Sequence, residues 1–225
     1  MGLTTGRLAN SPKCSPQGDV VPIDIAKRSA PFVGADPELV LALRRGDRQA
    51  MTELVRRYGT YVERILSRIM GPDTELPDLL HNVFVVALRR IETLLNPNLL
   101  KEWLRGITLL IARNTLRSRR RRRWLTFLAP EDLPEVPAEG PQHETNDALV
   151  RTYNTLAQLP ADERIAFTLR FIDGMEMKEV AEACGVSLST AKRRTDRAQQ
   201  RFAAFGRRDP VLRELMAQGE RWGQP

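Results

Sequence analysis

With 35 Lys and Arg against 28 Asp and Glu, this chain of 225 residues has room for one or two domains, and its net charge of +7 points to a polyanionic partner, nucleic acid or an acidic membrane surface. A hydrophobic content of 42% excludes a wholly disordered protein, and two cysteines, Cys14 and Cys184, are too few for a disulfide framework or a zinc site of their own. Apolar runs fall far short of the roughly 20 residues that span a bilayer. Neither a secretory leader nor a myristoylation signal is visible, Gly6 standing where serine or threonine is needed, so a cytoplasmic protein is expected.

Residues 1–35 mix Gly, Ser, Pro, Lys and Arg without a sustained period and are expected to form a flexible arm. Helical pattern begins at Pro37, with Leu39, Val40 and Leu43 on one edge and a break at Gly46. Asp47 is placed to cap a second helix, along which Ala50, Leu54, Val55, Tyr58, Val62, Ile65, Leu66 and Ile69 recur at helical spacing until Gly71-Pro72. Pro77 opens a third helix with Leu79, Val83, Phe84, Ala87 and Ile91 on its apolar stripe. Asn96-Pro97-Asn98 is a turn, and a long helix follows whose buried edge is expected at Leu100, Trp103, Leu104, Ile107, Leu110 and Ile111. That helix ends in Arg113, Arg117 and the run Arg119 to Arg123, like charges more comfortable beside phosphates than beside water.

Composition flips over 124–146. Pro130, Pro134, Pro137 and Pro141 break any helix, and Glu131, Asp132, Glu135, Glu139 and Glu144 arrive without a Lys or Arg, the pattern of an extended acidic linker. A second domain is expected over 147–205. It has one helix carrying Leu149, Tyr153, Leu156 and Leu159, another carrying Ile165, Ala166, Leu169 and Phe171, then a helix-turn-helix. In the last unit Val180, Ala181 and Cys184 face inward, Gly185 supplies the left-handed turn and Ser187 caps the second helix. Leu188, Ala191, Thr195, Ala198, Phe202 and Phe205 form its inner stripe. The outer side holds Ser189, Thr190, Lys192, Arg193, Arg194, Arg197 and Arg201. An exposed helix face with so many donors and cations suits a major groove walled by phosphates. Residues 206–225 form a tail with a short helix capped at Asp209-Pro210. The expected fold is all-α: an N-terminal arm, a helical domain at 36–123, the acidic Pro-rich linker, and a second helical domain with the helix-turn-helix.

Enzyme chemistry has little to stand on. His81 and His143 are the two histidines, and no metal-binding helix, phosphate-cradling glycine loop or nucleophile elbow occurs. Neither an enzyme nor a cofactor, metal or small-molecule ligand is expected. A stand-alone helix-turn-helix regulator binding operator DNA would account for 147–205 and leave the first domain unexplained.

Three segments carry a resemblance to a known family. ELVRRYGTYVERILSRIM with DLLHNVFVVALRRI, EWLRGITLLIARNTLRSRRRRR, and LPADERIAFTLRFIDGMEMKEVAEACGVSLSTAKRRTDRA, in this order, resemble the extracytoplasmic-function RNA polymerase sigma factors of the sigma-70 family over about residues 36–205. The resemblance implies a factor that binds core RNA polymerase, reads the −35 and −10 promoter elements and helps melt the −10 region, with no membrane contact and with an anti-sigma factor as a further partner.

It also implies roles by position. Asp78, His81 and Asn82 fall on the polymerase-docking helix, His81 replacing the usual glutamine. Asn96 and Asn98 fall in the loop that captures a base turned out of the non-template strand, and Lys101, Arg105, Arg113, Asn114 and Arg117 on the helix that follows that strand. Trp103 is better placed for packing than for stacking on a base. Ser187, Ser189, Thr190, Lys192, Arg193 and Arg197 match the groove-facing positions of the −35 reader. The chain departs from the pattern at Thr195, where leucine is usual, and at Asp196, where histidine is common. The tetrapeptide Ile111-Ala112-Arg113-Asn114 also sits four residues further from the tryptophan than usual.

Overall fold

Capping chemistry and apolar spacing set the helices where the sequence placed them. A computed structural model describes residues 32–128 and 144–218; the expected arm up to residue 31 and the linker stretch 129–143, with Cys14 and His143, lie outside the described residues. The helices are α1 (Asp36–Arg44), α2 (Arg48–Met70), α3 (Leu76–Arg90), α4 (Leu100–Leu128), α5 (Glu144–Leu156), α6 (Ala161–Phe167), α7 (Met177–Cys184), α8 (Leu188–Gly206) and α9 (Pro210–Gln218). Every regular element among the described residues is helical, and none of these helices is long and apolar enough to cross a membrane.

The N-caps are those expected. Asp47 accepts from the Gln49 N–H at 2.8 Å to start α2, and Asp209 accepts from Val211 and Leu212 at 3.0 and 3.2 Å to start α9. Pro77 sits in the first turn of α3, where its missing N–H costs nothing. Helix α4 continues past Arg123 to Leu128, and α5 begins at Glu144, because no breaker intervenes before Pro130 or between Glu144 and Asp147.

Helices α1 to α4 pack around Leu39, Leu54, Leu66, Ile69, Leu100 and Leu104, all fully buried. A polar network fastens α1 to α2. Asp36 accepts from Arg57 at 2.8 Å and from the Tyr58 hydroxyl, while Arg57 also reaches the Gly34 carbonyl at 2.9 Å. Glu53, buried on α2, accepts from Arg56 at 2.7 Å and Arg57 at 3.1 Å, and these bonds, the Arg56 one foremost, hold its carboxyl down to about 2 against the cost of burial.

The apolar cluster does not stop at α4. It continues into Ala161, Ile165 and Leu169 on and after α6, Val180, Ala181 and Cys184 on α7, and Ala191 on α8. A second cluster joins Leu156, Leu159, Phe167, Ala198 and Phe202, with the Phe167 ring 4.8 Å from Phe171 and 4.9 Å from Phe202 between centroids. Helix α4 is therefore covered on more than one side, by α2 and α3 and by α6 and α7. That explains why its buried set is wider than a single stripe: Thr108, Leu109 and Ala112 are buried, whereas Leu110, expected inside, is half-buried. Trp103 packs against the core, as its place on the stripe suggested. Val55 and Leu149, expected inward, are 44% and 47% exposed, each at the margin of its helix's buried face.

Candidate nucleic-acid interface

The helix-turn-helix is built by local hydrogen bonding. The Glu179 carboxylate accepts from the Glu176 N–H at 2.8 Å and starts α7. Gly185 then takes φ 64°, ψ 40°, a left-handed conformation that costs glycine nothing, and returns its N–H to the Glu182 carbonyl at 3.1 Å. Ser187 caps α8 by accepting from the Thr190 N–H at 3.3 Å. Its hydroxyl also donates to Thr190 Oγ1 at 2.9 Å and lies 3.1 Å from Ser189 Oγ, so these three hydroxyls form one exposed cluster at the helix start.

Ala191, Thr195, Ala198 and Phe202 anchor α8, while Ser187, Ser189, Lys192, Arg193, Asp196 and Arg197 are exposed and Thr190 is half-buried. Leu188, expected on the inner stripe, is 38% exposed because no earlier turn of α8 lies over the first helical residue. Two cations expected on the outer face turn instead toward α6: Arg194 Nη1 is 3.6 Å from Asp162 Oδ1, and Arg201 Nη1 donates to Glu163 Oε2 at 3.0 Å. Helix α6 runs along the flank of α8, and its acidic first turn draws them in.

The second expected set starts at the turn before α4. Asn96 and Asn98 are both exposed, and Asn96 Oδ1 accepts from the Asn98 N–H at 3.1 Å, closing the turn with its own side chain. Lys101 is exposed with its ammonium 5.0 Å from the centre of the Tyr61 ring, and Arg105 is half-buried. Arg113, Asn114 and Arg117 follow on the same helix, but at 3.6 residues per turn Arg113 lies about 80° around the axis from Arg105. The structure thus splits this set into two faces of α4.

Arg113 and Arg117 meet Asp162 of α6. Arg117 Nη2 donates to Asp162 Oδ2 at 2.6 Å, and Arg113 Nε lies 2.9 Å from Oδ1, an ion pair off the best hydrogen-bond direction. Burial opposes ionisation of Asp162, but the Arg117 bond and the Arg194 and Arg113 charges outweigh it and hold the carboxyl below its ordinary value. In the arginine run, Arg119 pairs with Asp73 and Glu75, Arg123 donates to the Ala157 carbonyl at 3.1 Å, and Arg120, Arg121 and Arg122 are exposed. On α3, Asp78, His81 and Asn82 are all exposed, at helical spacing along one outward face.

Sequence reasoning missed the contacts around the end of α2. Arg164, buried on α6, donates from Nε to the Ile69 carbonyl at 2.8 Å and from Nη2 to the Met70 carbonyl at 2.9 Å. Tyr153 of α5 donates its hydroxyl to the Arg68 carbonyl at 3.1 Å, and Arg68 pairs with Asp173. These are C-terminal carbonyls that the helix itself leaves without partners, capped from far along the chain. Burial pulls the Arg164 guanidinium down to about 10, still protonated at neutral pH. No periodicity announces such contacts, since the acceptors are backbone atoms.

Comparison with known proteins covers both halves. The family model described as sigma-70, region 4 matches residues 149–201. The chain is 28% identical over 174 residues to the ECF RNA polymerase sigma-E factor of Haemophilus influenzae, a match covering 73% of this chain and 92% of that protein. It is 31% identical over 167 residues to the ECF RNA polymerase sigma factor SigE of Mycolicibacterium smegmatis, covering 71% of this chain and 64% of that one. Among solved structures, CnrH in complex with the cytosolic domain of CnrY shares the fold with a TM-score of 0.52 at 23% identity, over 78% of this chain and 99% of that chain.

Proposed function

We propose that the chain is a member of the extracytoplasmic-function group of the sigma-70 family, and that its cation sets on α8 and along α4 divide promoter recognition between them. It is a specificity factor that binds core RNA polymerase and directs initiation from chosen promoters. The observation carrying this is the reach of the match: 92% of the Haemophilus influenzae factor is covered, far more than a helix-turn-helix alone would account for. A stand-alone regulator is for that reason not favoured.

In the −35 element, Lys192, Arg193 and Arg197 take guanine edges and phosphates, and the Ser187, Ser189 and Thr190 hydroxyls take phosphate or base; their support is the exposure of one continuous face of α8. In the −10 element, Asn96 and Asn98 hold a base turned out of the non-template strand. Flipping costs a few kcal/mol, offset by contacts to the exposed edge. Lys101, Arg105, Arg113, Asn114 and Arg117 follow the strand backbone. Asp78, His81 and Asn82 dock on the polymerase. Residues 36–123 and 147–205 act as the two DNA-reading domains, joined by the acidic linker. The protein does no chemistry of its own, works in the cytoplasm, and takes an anti-sigma factor as inhibitory partner.

The test is reconstitution: the purified chain added to core polymerase should drive initiation from promoters selected out of random DNA, and each half alone should not. If the chain selects the same sequences without polymerase and never promotes initiation, the regulator reading replaces this one.

A further inference from the structure

Helix α2 carries an aromatic side chain that neither its buried stripe nor the strand-following set accounts for. Tyr61 falls outside the run of Leu54, Tyr58, Val62 and Ile65 that α2 buries, and its helix neighbours Thr60, Glu63 and Arg64 are exposed. The ring is nonetheless half-buried, packed against the core where α2 meets α4. Over it stands the ammonium of Lys101, 5.0 Å from the ring centre. Burial raises the phenol above its ordinary value, and the charge and hydrogen bond of Arg105 offset part of that rise. One tyrosine of α2 thus meets two cations of α4, four residues apart. Both are assigned above to the −10 strand, and Lys101 lies about one helical turn past Asn98.

We propose that Tyr61 is a stacking platform for a base of the melted strand, covered by Lys101 in the free protein. The idea rests on the assignment of Lys101 and Arg105 to the −10 strand. The face of an aromatic ring accepts a cation or the flat of a base, but not both at once. Lys101 is exposed, so its hold on the ring is a weak contact in water, and a strand phosphate offers its ammonium a full negative charge instead. One movement then serves two ends: the phosphate gains a cation, and the ring face opens to the adjoining base. Arg105, half-buried against the phenol, fixes the orientation of the ring. Asn96 and Asn98 read the edge of the base turned out at the turn. Tyr61 reads no edge; it takes the flat of a neighbouring base and holds the strand irrespective of sequence.

The experiment uses the full chain and two fluorescent single strands of equal length, one of mixed sequence and one with every base removed, so that both carry the same phosphates. Tyr61→Leu keeps apolar volume and loses the aromatic face. It should bind the mixed-sequence strand about tenfold more weakly than wild type and the abasic strand within about twofold, and Tyr61→Phe should match wild type on both. An equal loss on both strands would reduce Tyr61 to a support for the fold or for the cations and overturn the platform. No loss on either strand would overturn it too, as would a wild type that binds the two strands equally. A second measurement needs no substitution: wild type irradiated with a bromouracil-substituted strand should form its adduct at Tyr61, and adducts confined to other residues would overturn the proposal. Lys101→Ala and Arg105→Ala together should weaken the abasic strand, where only phosphates are held. If they leave it unchanged while Tyr61→Leu still loses the mixed-sequence strand alone, the platform stands and the −10 assignment of those two cations falls.

Discussion

Two arginine-rich helices, α4 and α8, look alike in sequence and behave differently in the fold. On α8 the cations at 192, 193 and 197 project outward from a helix anchored by Ala191, Thr195, Ala198 and Phe202. On α4 the corresponding charges are taken up by protein: Arg113 and Arg117 by Asp162, Arg119 by Asp73 and Glu75, and Arg123 by the Ala157 carbonyl. The difference comes from coverage. Helix α8 meets α5, α6 and α7 and leaves the side with Lys192, Arg193 and Arg197 open, whereas α4 is packed by α2 and α3 and by α6 and α7, and Asp162, Asp73 and Glu75 are brought against its arginines. A basic run therefore has two fates, and only the neighbours across the fold decide which.

That contrast breaks most visibly at Arg164. Arg164→Ala strands the Ile69 and Met70 carbonyls at about 1–3 kcal/mol for each buried unsatisfied group. Urea unfolding should report a loss of about 2–5 kcal/mol, with the discount that some opening lets water in. Gly71→Ala comes next. Its backbone holds φ 77°, ψ −159°, and an added Cβ would stand 2.4 Å from Tyr153 Cδ1. The strain is worth about 1–3 kcal/mol, and relief by moving Tyr153 would show as a wider radius rather than a lower midpoint.

Substitutions on α8 should do the reverse. Lys192→Ala and Arg193→Ala leave the melting profile within about 0.5 kcal/mol of wild type. Each should lower the salt slope of promoter binding by roughly 1 if it contacts a phosphate. Promoter choice and slope both unchanged in the pair would remove the recognition-helix assignment.

The smallest effect is at Glu53, whose carboxyl is held to about 2 against an ordinary 4.5. A depressed folded value means that its contribution is present above the unfolded value and lost as pH falls from about 4.5 toward 2. Glu53→Gln should flatten that part of the acid-unfolding curve. An identical acid limb in wild type and variant would show that the two arginines gain nothing from the charge.

Local chemistry was legible in the chain itself. Asp47, Gly185, Ser187 and Asp209 act where their types and spacing predict, because a cap or a left-handed turn is settled by the few residues around it. The inner stripe of α8 followed for the same reason, apart from Leu188 at its first turn; the outer face followed apart from the cations Arg194 and Arg201. Those last two, like Arg113, Arg117 and Arg164, took their orientation from groups that lie far away in sequence: Asp162, Glu163, and the carbonyls of Ile69 and Met70. Periodicity identifies which face of a helix is apolar, but a guanidinium is satisfied equally by water, phosphate, carboxylate or backbone oxygen. The choice among them was made by which elements packed together.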